Sequence, residues 1–168
     1  MPTRYAGNDT EVRALNAFIN LARALDSLTG RLSADLEGRG LTLAQFGVLE
    51  AIQHLGPLCQ KELAAKLLRS GGNVTVVADN LEKHGWVRRE RQENDRRLIR
   101  IHLTQAGRAL IERVFPKHVE TLVEQFSALE PQEQEELRRL CRKLGRANKK
   151  SSKDGKREET DNVAGSTE

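Results

Sequence analysis

This chain of 168 residues contains two cysteines, Cys59 and Cys141, too few for a disulfide framework or a zinc cluster. Aromatic residues are also scarce, at four Phe, one Trp and one Tyr, which argues against a surface that stacks single-stranded bases. The apolar runs are far too short to cross a bilayer, so a transmembrane protein is excluded. The amino terminus mixes charged, polar and isolated apolar residues. It lacks the continuous apolar stretch of an export signal, and a cytoplasmic location is the expectation. A Gly-rich phosphate loop, a Gly-x-Ser-x-Gly nucleophile turn and His/Cys metal spacing are all missing. Neither enzyme activity nor a bound metal or cofactor is therefore expected.

Charge is the first positive signal, through its distribution. The chain carries a net +4, too little to diagnose a partner. From Lys83 to Arg108, however, eight basic residues face three acidic ones, an excess larger than that of the whole molecule. The last twenty residues hold five basic and five acidic side chains and one aliphatic of any size, Val163. Such a composition cannot bury a core and predicts a disordered tail over 149–168.

Apolar periodicity organises the rest. Val12, Leu15, Phe18 or Ile19, Ala22, Leu25, Leu28, Leu32 and Leu36 recur at intervals of three or four, the stripe of a long helix. Thr42 can cap a second helix closed by Gly56-Pro57. A short third helix spans Gln60 to Leu68, and a fourth runs from Asn73 to His84 with Val74, Val77, Ala78 and Leu81 inward and Gly85 as its stop. The period then changes to alternation. Trp86–Gln92 and Arg97–Leu103 read as two strands joined by Glu93-Asn94-Asp95-Arg96. Thr104 can cap a further long helix that Pro116 must kink or break, and Pro131 suits the start of a last one. The expected fold is mainly α with a small β-hairpin wing, a winged helix-turn-helix over 41–104. An amino-terminal arm (1–10) and flanking helical regions (11–40 and 105–148) complete it.

A helix enters the major groove when its outward side is slim and polar. Opposite the apolar stripe, the fourth helix carries Gly72, Val76, Asp79, Asn80 and Lys83, with Asn73 and Thr75 on its shoulders. Ser70, Asn73, Thr75 and Val76 are the candidates for base edges. The backbone N–H groups of Gly71 and Gly72, at the helix start, suit a phosphate. In the hairpin, Arg96 or Arg97 can enter a minor groove with Asp95 paired to Arg97, while Arg88, Arg89, Arg91 and Arg100 line the approach to phosphates. The bland alternatives are a tight capping turn and a solvated, salt-bridged hairpin.

These residues also carry a resemblance. Asp95–Thr104, DRRLIRIHLT, with Gly107 beyond it, resembles the wing signature of the MarR family of bacterial transcriptional regulators. LTLAQFGVLEAIQHL from Leu41, followed by GPLCQKELAAKLLRSGGNVTVVADNLEKHGWV, resembles the family's entry helix and helix-turn-helix. The likeness covers residues 10–147, with the long flanking helices matching the dimerisation elements. The Gly56-Pro57-Leu58 turn, the Ser-Gly-Gly helix start and Val114–His118 are most similar to the branch that responds to quinones, catechols or other phenolic compounds. The resemblance implies a homodimer on near-palindromic double-stranded operator DNA. Such a protein usually represses, and is released by a small aromatic ligand or by thiol oxidation.

A ligand pocket in this architecture would lie around Phe18, Ala22, Phe46, His54, Trp86, Phe115 and His118, although ordinary core packing is the better explanation of each apolar member. Cys59, at the start of the third helix, is the candidate redox trigger, since a helix dipole favours a thiolate. Peroxide-sensing members carry their cysteine in the first helix, where this chain has none. A winged helix serving nonspecific DNA or protein contact is the remaining alternative.

Overall fold

The computed structural model describes residues 4–67, 71–91 and 98–161, with side-chain surroundings as far as residue 147. Its elements, in chain order, are α1 (Asp9–Glu37), α2 (Leu43–Leu55), β1 (Leu58–Cys59), α3 (Gln60–Leu67), α4 (Gly71–Lys83), β2 (Val87–Arg91), β3 (Ile99–Leu103), α5 (Gln105–Phe126) and α6 (Pro131–Asp161). The fold is the expected winged helix-turn-helix between long helices.

Local chemistry sets the boundaries. Asn8 caps α1 in a reciprocal box with Glu11, and Thr42 caps α2 in the same way with Gln45. Thr104 caps α5: its hydroxyl accepts from the Gly107 N–H at 3.0 Å and donates to the Gly85 carbonyl at 2.6 Å. α4 ends in a Schellman motif, with Trp86 N–H on the Leu81 carbonyl and Gly85 N–H on that of Glu82. Gly85 sits at φ 70°, a conformation that side chains resist.

The sheet has the order β1-β3-β2, antiparallel throughout. β2 pairs with β3 from Val87↔Leu103 to Arg91↔Ile99. β1 pairs with the other edge of β3 through Leu58↔Ile101 and Cys59↔Arg100. The alternating pattern does not reveal β1, because two residues carry no period. Trp86 lies outside β2, being held by the turn that ends α4, and Leu98 lies outside β3. Gln92 and Arg97, the remaining expected strand residues, lie outside the described residues.

Two features of the long helices bear on the sequence reading. Pro116 stands inside α5 without ending it. It is exposed, as is Glu112 one turn earlier, so water can satisfy the carbonyl that loses its partner. α6 continues through Asp161, well into the stretch whose composition predicts disorder. That stretch is free of proline and rich in Lys, Glu and Arg, which are good helix formers; residues 162–168 lie outside the described ones.

The chain divides into two compact units, Met1–Val123 and Glu124–Glu168. In the first, one core joins Leu36 and Leu41 to Phe46, Leu49 and Ile52 of α2, Leu63 of α3, the inner stripe of α4, Val87, Ile101, and Leu110, Ile111 and Val114 of α5. Gly107 is buried against the Trp86 carbonyl, where an added Cβ would overlap the backbone. That contact seats α5 directly on the end of α4. Among the described residues, no helix is long and apolar enough to cross a membrane.

Candidate nucleic-acid interface

α4 is amphipathic in the expected register. Val74, Val77, Ala78 and Leu81 are buried, so the residues between them face outward. Gly72, Asn73, Asn80 and Lys83 are exposed, Thr75 is half-buried, and Val76 is 59% exposed. Gly71 opens the helix, where the first N–H groups have no intrahelical acceptor. Ser70 lies outside the described residues, as do Asp95, Arg96 and Arg97 with their suggested ion pair.

The arginines of the wing divide by role. Arg88 and Arg91 are exposed on β2, Arg88 in an ion pair with Glu90. Arg89 does not line the outer approach. Its guanidinium turns back to α4 and binds Asp79 and, at 2.7 Å, Glu82. Its backbone N–H donates to Glu82 as well, at 3.0 Å. Period-two alternation puts Arg89 on the face of the buried Val87 and Arg88 on the other; Arg91, at the end of β2, shares the parity of Arg89 but is exposed. Arg100 is committed too, donating to the Pro57 carbonyl at 2.8 Å and lying 4.0 Å from Glu62. Thus Arg89 couples α4 to the wing, and Arg100 couples the wing to the turn before β1.

Cys59 lies on β1, directly before α3, and is half-buried. Its backbone N–H donates to the Glu62 carboxylate at 2.8 Å, and bonds from the backbone and side chain of Cys59 hold the Glu62 carboxyl below its ordinary range. Cys141 is exposed on α6. Among the described residues, no group of three or more His, Cys, Asp or Glu could hold a metal ion.

A cleft of about 470 Å³ opens between α1, α2, the end of α3 and α5. Leu32, Phe46, Glu50, Phe115, His118 and Leu122 are among its lining residues. Phe46 and Phe115 stack at 6.4 Å, and the His118 ring lies 4.2 Å from that of Phe46. His118 is 8% exposed, and its Nδ1 has no hydrogen-bond partner among the described residues. Burial holds its pKa below the ordinary value, against the opposing fields of Asp35 and Glu50. Asp35 itself is ion-paired with Arg39 at 2.9 Å.

Three of the seven sequence-suggested pocket residues therefore meet there: Phe46, Phe115 and His118. His54 is exposed and touches Phe115 edge-on at 5.0 Å. Phe18, Ala22 and Trp86 do not line the cleft. Phe18 lies 67% exposed at the start of α1 beside Tyr5, and Trp86 stacks on His84 at 4.6 Å. Leu32 and Glu50 were absent from the expected set, and their helical spacing alone gives no sign that they face a shared cleft.

Residues 41–99 match the sequence model of the MarR family. The uncharacterized HTH-type transcriptional regulator YkoM of Bacillus subtilis is 35% identical over 143 residues, 84% of this chain and 93% of that protein. This chain belongs to the MarR family. A MarR-family protein is a DNA-binding transcriptional regulator and not an enzyme, in keeping with the outward face of α4. The structure of a Cys-to-Ser mutant of Escherichia coli MarR complexed with operator DNA matches with a TM-score of 0.71 and 27% identity, covering 83% of this chain and 99% of that one. Bordetella bronchiseptica BpsR, whose structure concerns regulation of DNA binding by 6-hydroxynicotinic acid, matches with a TM-score of 0.65 and 25% identity, covering 75% and 98%.

Proposed function

We propose that this MarR-family chain is a homodimeric repressor that binds near-palindromic double-stranded operator DNA and is released by a small aromatic or phenolic ligand. The observation that carries the DNA contact is the outward face of α4, where Gly72, Asn73, Val76, Asn80 and Lys83 are exposed above a buried stripe. On it, Asn73 pairs with an adenine edge, and Thr75 and Val76 meet thymine methyls. The N–H groups of Gly71 and Gly72 take a phosphate, and Asn80, Lys83, Arg88 and Arg91 flank the backbone. Ser70, Asp95, Arg96 and Arg97 join this surface on the strength of the sequence.

Dimerisation is supported by apolar side chains left open in one copy: Phe18, Leu21 and Leu25 on α1, and Val119 and Val123 on α5. Two copies set recognition helices about 34 Å apart, one turn of duplex, which gives the operator its two-fold symmetry. The cleft supports release because α2 forms one of its walls and also packs against α4. A ligand wedged there changes the seat of α4 and hence the spacing between half-sites. BpsR, regulated by a hydroxylated aromatic acid, offers a precedent for aromatic control.

The test is fluorescence anisotropy on DNA from upstream of the gene, with phenols, quinones, aromatic acids and hydrogen peroxide added separately. Release by an aromatic compound that persists in Cys59→Ser supports the proposal. Release by peroxide alone, abolished in Cys59→Ser, contradicts it. In the same assay Asn73→Ala lowers the preference for operator over random duplex; equal loss on both would move Asn73 to the DNA backbone.

A further inference from the structure

We propose that the α1–α2–α5 cleft selects neutral hydroxylated aromatics over aromatic carboxylates, with His118 and Glu50 as the specificity-determining residues. This inference rests on the cleft being the effector site.

The lining decides the charge of the occupant. Among the described residues, Glu50 is the charged group on its wall, and neither lysine nor arginine joins it. The nearby guanidinium, Arg39, is held by both oxygens of Asp35. An aromatic carboxylate would bring a second negative charge into an apolar, partly enclosed space with no cation to meet it, and like charges there repel strongly.

His118 decides the polar contact. It is more than nine-tenths buried, its ring lies against Phe46, and its Nδ1 is unpartnered among the described residues. A buried imidazole nitrogen without a partner carries a desolvation cost that a ligand can remove. Burial favours the neutral ring, which offers one N–H and one lone pair. A phenolic hydroxyl is both donor and acceptor: it can accept from an imidazole N–H while donating its one proton to the Glu50 carboxylate, or give that proton to the imidazole lone pair of the other tautomer instead. A carboxylate, an acceptor only, cannot satisfy Glu50. Phe46 and Phe115, already parallel, supply the faces on which an aromatic ring stacks.

The experiment is calorimetric titration of the full-length protein at neutral pH with para-chlorophenol, para-chlorobenzoate and chlorobenzene, alongside operator release by each. Para-chlorophenol is expected to bind at least about tenfold tighter than para-chlorobenzoate. Glu50→Gln is expected to close that gap by about tenfold, by admitting the carboxylate. His118→Phe is expected to reduce para-chlorophenol to the affinity of chlorobenzene. Para-chlorobenzoate binding as tightly as para-chlorophenol, or a gap that Glu50→Gln leaves unchanged, overturns the selectivity while leaving the cleft as effector site. Binding by none of the three compounds overturns both.

Discussion

Replacing Arg89 with alanine separates a phosphate contact from a structural clamp. The side chain ties β2 to α4 through two carboxylates, Asp79 and Glu82, while a backbone bond from Arg89 to Glu82 survives the substitution. Hydrogen bonds to charged groups are worth about 1.5–3 kcal/mol each when buried. Here the arginine side chain is 24% exposed and the carboxylates 46% and 39%, so water replaces much of each bond. Exposed pairs give roughly 0.2–1 kcal/mol. The loss is therefore about 1–2 kcal/mol, or roughly 2–8 °C in melting temperature for a domain of this size. A double-mutant cycle of Arg89→Ala with Glu82→Gln, followed by urea unfolding, is expected to show a coupling of about 0.5–1 kcal/mol. The DNA readout is different in kind. Because Arg89 faces α4, its loss lowers operator affinity without changing the slope of log affinity against log salt, whereas Arg91→Ala reduces that slope by about one. Additive stabilities in the cycle, together with an Arg89→Ala slope that falls as far as that of Arg91→Ala, would refute the clamp and return Arg89 to the phosphates.

Gly107→Ala forces a methyl into the Trp86 carbonyl, and is expected to cost about 3 kcal/mol in urea unfolding. His118 is held below its ordinary pKa of 6.5 by burial, so the unfolded chain binds more protons as pH drops through that value. Stability is therefore lost on acidification below about pH 6.5, and His118→Phe is expected to flatten this part of a melting-temperature profile. Truncation after Asn148 leaves every described member of the buried core in place, and the unfolding free energy is expected to stay within about 0.5 kcal/mol of the full chain.

Much of this surface was legible in the sequence because it depends on short-range periodicity. Val74, Val77, Ala78 and Leu81 could point inward only in one helical register, and that register placed Asn73, Val76 and Asn80 outside. Thr42, Thr104 and Gly85 marked their helix ends by side-chain chemistry that acts within a few residues. Long-range placement was not legible. Arg89 looks like its neighbours in a run of arginines, and it differs because the turn at Gly85 folds β2 back along α4, bringing Asp79 and Glu82 within reach. β1 is invisible because pairing with β3, across forty residues of chain, creates it. The cleft failed in a similar way: aromatic type suggested Phe18 and Trp86, while Leu32 and Glu50 enter through helix packing that no local pattern encodes. Whether Pro116 bends or ends α5 was not legible either, because its cost depends on whether the orphaned carbonyl meets water, which is a property of the folded surface.

Titration of full-length protein against two duplexes of equal length, one from upstream of its own gene and one random, at two salt concentrations, tests the central claim most directly. The account predicts operator affinity about a thousandfold or more above random, a steep loss of both with salt, and collapse of the difference in Asn73→Ala. Equal affinity for the two duplexes, with the same salt slope, would contradict sequence reading by the face of α4.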